Sequence, residues 1–187
     1  MAMPRPIADW TAAQVRALPD DGNRYEVVDG ELLVTPAPVL LHQRAVRELY
    51  DRLRQIVTAH RIGSVLFSPA DIELDERTLV QPDLFVAPLV EGREPRSWPE
   101  IHTLLLAIEV LSPSTARADR NVKRRRYQRH GVAEYWIVDL DARLIERWRP
   151  ADERPEILAE QLEWRPSGDA PPLTLDLVEL FADVLDR

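Results

Sequence analysis

The sequence predicts a mixed α/β (α+β) fold: a central mixed β-sheet flanked by helices, preceded by an N-terminal helix and hairpin. Three observations carry that prediction. Between residues 40 and 60 apolar side chains recur at Val46, Leu49, Leu53, Ile56 and Val57, the helical period, with arginines and acids on the opposite side. The runs 64–74, 78–87 and 104–111 are rich in Val, Ile, Leu and Phe and bounded by Pro, Gly or charged clusters, which reads as three strands of the central sheet. A basic helical segment then separates them from a further strand pair at 135–139 and 144–149.

Taken in order, Thr11 is placed to cap a short helix that ends near Leu18, with Ala13, Val15 and Ala17 as its modest apolar content. Residues 25–28 and 31–34 are β-prone and flank Asp29-Gly30, a pair that tolerates the positive φ of a primed turn, so they form a hairpin stopped by Pro36 and Pro38. His42 lies one turn before Val46 on the apolar stripe of the next helix and therefore points inward, where a histidine is ordinarily a hydrogen-bonded core residue. Residues 92–99, with two prolines and several charges, make a surface loop between the second and third central strands. After Leu111, Ser112-Pro113-Ser114-Thr115 ends the strand and offers capping hydroxyls to the basic helix, which runs to Gly131. The pair at 135–149 turns near Asp141-Ala142, residues 157–164 add an edge strand, and 176–185 form a terminal helix with Leu177, Leu180, Phe181 and Val184 on one side. No repeat, low-complexity tract or linker divides the chain, so residues 1–187 are expected to be one domain.

Composition limits the chemistry. There is no cysteine, which excludes disulfides and thiolate metal sites and favours magnesium or manganese on oxygen ligands over structural zinc. No apolar run approaches the length needed to cross a bilayer, and residues 1–10 hold no apolar segment, so a cytoplasmic protein without a membrane partner is expected. The net charge of −8 argues against a surface coated with basic charge. Its distribution is uneven: between Ala116 and His130 seven Arg or Lys residues accompany one acid, Asp119. Such a run is most often a solvated helix face.

Two acids interrupt apolar runs. Asp83 follows Gln81-Pro82 and shares a strand face with Phe85, while Glu109 falls inside a run whose continuous apolarity indicates a strand covered on both sides. A buried carboxylate at either place needs a cation, a hydrogen-bond network or a raised pKa; the plainest solution is a salt bridge to an arginine. At about 100° per residue, Asp119, Lys123, Arg126 and Tyr127 share one arc of the basic helix with Val122, and Arg117, Arg120, Arg124 and Gln128 fall on the other. Val122 and Tyr127 suit packing on the sheet, so Lys123 faces inward with them. From Glu109 the strand runs on for about 7 Å, and Lys123 lies about 9 Å into the returning helix, so the two can come level. Two acids and a lysine are the parts needed to hold a divalent cation against a phosphodiester.

Pro82-Asp83, Glu109-Val110-Leu111-Ser112-Pro113-Ser114, Asp119 with Lys123 and Tyr127, and Gly131-Val132 with the run 134–139 together resemble the putative restriction endonuclease family of the PD-(D/E)XK nuclease superfamily. The hairpin Tyr25-Glu26-Val27-Val28-Asp29-Gly30-Glu31-Leu32 and the histidine after Pro36 and Pro38 are similar to that family too, so the likeness spans most of the chain. The resemblance implies a restriction-endonuclease-like core with Mg or Mn held by Asp83 and Glu109. The lysine expected two residues after the glutamate is Leu111 here, and the resemblance moves that role to Lys123 on the following helix.

The expected activity is metal-dependent endonucleolytic hydrolysis of nucleic acid, with DNA as the expected substrate. Asp83, Glu109 and Lys123 are its catalytic residues, and Lys123 positions the attacking water or stabilises charge on the phosphorane-like oxygens. Asp119 orients Lys123 from one turn before it, Tyr127 supports the site by packing, and Glu26, Glu31 and His42 are further supporting candidates. Arg117, Arg120, Arg124 and Arg125 are expected on DNA phosphates, which gives salt-dependent, sequence-blind affinity. No base-reading module is visible, and a homodimer would place two sites on opposite strands.

The leading alternative is a catalytically silent nuclease-fold module that binds nucleic acid or a protein. Its distinguishing feature is an arginine side chain between Asp83 and Glu109. A nucleotide phosphohydrolase would want base-stacking aromatics, and the five tryptophans are scattered. A paired-carboxylate glycosidase would have no use for Lys123.

Overall fold

The computed structural model describes residues 9–35, 37–113, 115–166 and 171–186. Pro36 of the expected strand stop, Ser114 of the expected capping stretch, and residues 1–8 lie outside these. Thr11 caps α1 (Ala12–Arg16) through a reciprocal capping box with Gln14, satisfying two otherwise unpaired donors. β1 (Arg24–Val28) and β2 (Glu31–Thr35) form the hairpin, with Asp29 at φ 55° and Gly30 at φ 80°, the two positive values that a primed turn requires. α2 (Leu40–Ala59) buries Ala45, Val46, Leu49, Leu53 and Val57 along the predicted stripe.

Each of the next two predicted strands divides. The first becomes β3 (Gly63–Phe67) and β4 (Ile72–Asp75), and the second becomes β5 (Thr78–Val80) and β6 (Leu84–Pro88). Pro82 has no N–H to give a ladder, so the chain leaves one sheet after Val80 and enters another at Leu84. Asp83 therefore sits in the connection that opens β6 rather than within a strand. A 3₁₀ turn at Trp98–Glu100 lies in the expected surface loop, and β7 (Leu106–Val110) follows with every residue buried.

The basic segment is π-helical over Ala118–Lys123 and continues into α3 (Arg124–Arg129), with Gly131 at φ 66° behind it. β8 (Glu134–Asp139) and β9 (Leu144–Trp148) come next. The predicted edge strand at 157–164 also divides. β10 (Glu156–Leu158) takes the sheet edge, while β11 (Gln161–Trp164) pairs with β12 (Leu173–Asp176), a strand that the sequence reading did not include. Asp176 caps α4 (Leu177–Leu185) by accepting from the Glu179 N–H.

The central sheet has six strands in the order β10-β9-β8-β7-β6-β3; β7 and β8 run parallel and its other pairs antiparallel. A four-stranded sheet, β2-β1-β5-β4, packs against one of its faces. The opposite face, carrying Leu84, Val86, Leu106, Ile108, Val110, Trp136 and Val138, is covered by α2, α4 and the β11–β12 ribbon in one apolar cluster. Among the described residues no helix is long and apolar enough to cross a membrane.

Candidate active site

The strand period decides which side chains meet. On β7, Leu106, Ile108 and Val110 point to the α2 side, so Ala107 and Glu109 point to the four-stranded sheet. β6 runs antiparallel to β7 with Leu84 opposite Ile108, which brings Asp83, one residue earlier, beside Glu109. On β1 the same alternation turns Glu26 and Val28 toward this interior, and Arg24 with them. The π-helical turn supplies the fourth wall. Its wider winding keeps Asp119 and Lys123 in line, and both are buried, as is Tyr127 one α-turn on.

The polar groups so gathered are closely connected. Lys123 Nζ lies 2.8 Å from Glu26 Oε2, 2.9 Å from Glu109 Oε1 and 3.5 Å from Asp119 Oδ1. Tyr127 Oη donates to Glu109 Oε1 over a long 3.4 Å, and Tyr135 Oη donates to the Asp119 carbonyl at 3.2 Å. The Gln81 N–H donates to Glu26 Oε1 at 2.7 Å, which ties the Gln81-Pro82-Asp83 connection to β1. Asp83 is fully engaged: Oδ2 accepts from the Val110 N–H at 2.8 Å and meets His42 Nε2 at 2.9 Å, while Oδ1 accepts from Arg24 Nη1 at 2.6 Å.

The electrostatics follow from burial and from charge count. Four carboxylates, Glu26, Asp83, Glu109 and Asp119, share this interior with two permanent cations, Arg24 and Lys123. Burial favours the neutral form of Glu109, and the neighbouring acids add to this, so its pKa stands well above the usual carboxylate range despite Lys123. Burial likewise raises Asp119. At Asp83 burial is outweighed by the His42 hydrogen bond and the Arg24 charge, which hold it below the ordinary value. Lys123 is raised, because the three carboxylates around it overcome the burial that would otherwise discharge it.

The remaining expected residues are placed less centrally. Glu31 is exposed at the start of β2, opposite Val28 across the hairpin, and does not join the cluster, because its position follows the solvent-facing turn. Arg120 is committed to Glu146 at 2.7 Å and Asp139 at 2.9 Å, and Arg124 lies 4.5 Å over the Trp148 ring, so these two arginines are held by the fold itself. Arg117 and Arg125 are exposed. Arg126, which the helical arc placed inward, turns out to Asp29 and Asp75 on the hairpin side.

Arg24 was not among the expected site residues. Its nearest signal was its spacing of two from Glu26, one residue before the predicted strand 25–28, which puts both on one face once the strand is extended to Arg24; nothing local indicated a partner 59 residues away.

Donor chemistry and charge both fit a divalent metal. The candidate ligands are hard carboxylate oxygens, and Glu26 Oε2 and Asp119 Oδ1 are buried with no directed hydrogen bond, although both face the Lys123 ammonium at ion-pair distance. With all four acids ionised they would exceed the two cations by two charges, so a bound divalent cation would balance the fully ionised cluster. As the side chains stand, however, no three His, Asp or Glu groups among the described residues are gathered on one point, and Arg24 occupies Asp83 Oδ1.

The structure is thus a mixed α/β protein, a sheet flanked by helices with buried acids and a lysine at the junction of β6, β7 and the following helix. The chain belongs to the family described as "Putative restriction endonuclease" (Uma2), whose model matches residues 12–181. A solved structure described as a putative nuclease belonging to DUF820, from Anabaena variabilis, shares the fold: the TM-score is 0.75 at 22% identity, over 94% of this chain and 99% of that one. No curated protein sequence matches the chain.

Proposed function

We propose that the chain is a magnesium- or manganese-dependent endonuclease that hydrolyses phosphodiester bonds of nucleic acid, with DNA as the substrate, at Asp83, Glu109 and Lys123. The observation that carries this reading is the convergence of Asp83 and Glu109 from adjacent strands with the Lys123 ammonium 2.9 Å from Glu109. Asp83 and Glu109 would hold the metal. When bound, the ion supplies polarisation of the scissile phosphate and a lowered pKa for a nearby water.

The chain's own groups do the rest. Val110 N–H and His42 fix the Asp83 carboxylate from one side. Lys123, held by three carboxylates, serves as a cation and not as a base: it orients the attacking water and offsets charge that develops on the phosphoryl oxygens. Asp119 and Glu26 position that ammonium. The exposed Arg117 and Arg125 meet the phosphate backbone. A homodimer would let two such sites address both strands of a duplex.

The test is cleavage of linear and circular DNA and of RNA with Mg2+ or Mn2+ and with EDTA. Metal-dependent cleavage by the native protein, lost in Asp83→Asn and in Glu109→Gln, is the expected result. Full activity in EDTA, or in both variants, would overturn it.

One observation favours a second reading. Arg24 sits on Asp83 and carries positive charge toward Glu109, which is the feature expected of a catalytically silent module that keeps the nuclease fold for binding. No cleavage under any condition, with nucleic-acid binding retained, is the outcome that reading expects.

A further inference from the structure

The two oxygens of Asp83 are in different situations. Oδ2 is fixed by a backbone N–H of β7 and by His42, both parts of the rigid frame. Oδ1 is held among the described residues by the Arg24 guanidinium, at 2.6 Å. It is therefore the oxygen that a metal would take, and the one that Arg24 now covers.

The two cations of the site also differ in freedom. Lys123 has a side chain 2% exposed and three carboxylate partners, so it has no route out. The Arg24 side chain is 19% exposed and stands at the first residue of β1, while the only registered pairing of β1 with β5 is further along, at Val27 and Leu79. A long side chain at a strand end, partly in contact with water, has room to move that Lys123 lacks, and its own backbone pairing with Thr35 does not involve the guanidinium. It cannot simply be dispensed with, because an unpaired carboxylate as buried as Asp83 is strongly destabilising.

We propose that Arg24 is a displaceable counter-ion for Asp83: its guanidinium and a divalent cation exclude each other at Oδ1, so Arg24 keeps the metal-free site neutralised and sets the affinity of the site for metal. This deepens the metal-dependent reading and rests on it. It also separates that reading from the silent one, in which Arg24 is a permanent occupant.

The experiment is calorimetric titration of Mn2+ into the native protein, Arg24→Met and Asp83→Asn. Without its competitor, the Met variant is expected to bind Mn2+ at least about tenfold tighter than the native protein, while Asp83→Asn loses binding. Binding that requires Asp83 but is unchanged or weakened in Arg24→Met overturns this inference alone. Absence of Mn2+ binding in both the native and Met proteins overturns it together with the metal-dependent reading. Should the Met variant not fold, the native protein decides. The Arg24 Nε–H resonance, assigned by its loss in Arg24→Lys, is expected to shift saturably with Mg2+; Mg2+ binding that leaves that resonance in place contradicts displacement.

Discussion

The two faces of the six-stranded sheet are built from the same alternating strands but solve different problems. Toward α2 and α4, β6, β7 and β8 present mainly Leu, Val, Ile and Trp side chains, and the helices close over them. Toward the four-stranded sheet, the same strands present Phe85, Ala107, Tyr135 and Ile137, and with them Glu109 next to Asp83. The first face is stabilised chiefly by apolar burial, with the Arg52–Asp183 ion pair joining α2 to α4 at its margin. The second encloses four acids that burial penalises, held by hydrogen bonds from the frame and by ion pairs whose desolvation offsets much of their attraction. Apolar packing thus dominates one side of the sheet, and the buried ionisable groups are placed on the other, where a packed frame fixes groups that would repel one another in isolation.

The contrast can be broken from either side. Trp136 is fully buried in the apolar face and packs edge-on against Trp164 at 6.2 Å. Trp136→Ala should cost about 3–5 kcal/mol in a denaturant titration, at all pH values where the protein folds. Lys123→Ala should cost a similar ~3–5 kcal/mol near neutral pH, because it strands three buried carboxylates. Unlike the Trp136 loss, this one should shrink as the pH is lowered and the acids take up protons.

A smaller effect sharpens the charge count. The raised pKa of Glu109 means that the folded state holds a proton which the unfolded chain releases above the ordinary value of 4.5. Its contribution therefore favours the fold at low pH and is lost as the pH rises from 4.5 toward the folded value. In EDTA, Glu109→Gln should flatten this decline and match or exceed the native stability at pH 8. A variant less stable than native at pH 8 would show that the ionised form is the better-accommodated one. Smallest in stability are the surface arginines. Arg125→Ala should leave unfolding within about 0.5 kcal/mol of native and reduce the salt slope of DNA binding by about one. Arg120→Ala, whose partners are Glu146 and Asp139, should leave that slope unchanged.

Much of the frame was legible in the sequence because its signals are local. The stripe of α2, the Asp29-Gly30 turn and the apolar run that Glu109 interrupts in β7 each follow from period or turn chemistry within a short window. The divided strands were not, since 78–87 reads as one apolar run and only the tertiary fold shows that Pro82 carries the chain between two sheets. β12 escaped notice because four residues that follow a proline pair and end in a helix cap hold too few positions to display alternation.

Within the candidate site, Asp83, Glu109, Asp119 and Lys123 could be nominated as polar groups at positions where burial was expected. Glu31 was a further supporting candidate from the N-terminal elements, with Glu26 and His42, yet its place beside the turn exposes it. Arg24 offered no comparable anomaly: an arginine at the start of a hairpin is unremarkable until the partner strand is known. Acids betray themselves by interrupting apolar runs, whereas the cation that answers them can come from any exposed strand end.

The central claim is that Asp83 and Glu109 together form a divalent-metal site from which Arg24 withdraws. Anomalous diffraction from a crystal soaked in Mn2+ tests it most directly. The account predicts a manganese peak between the two carboxylates with the Arg24 guanidinium out of hydrogen-bond reach of Asp83. A crystal with no peak there, and Arg24 still bonded to Asp83, would contradict it.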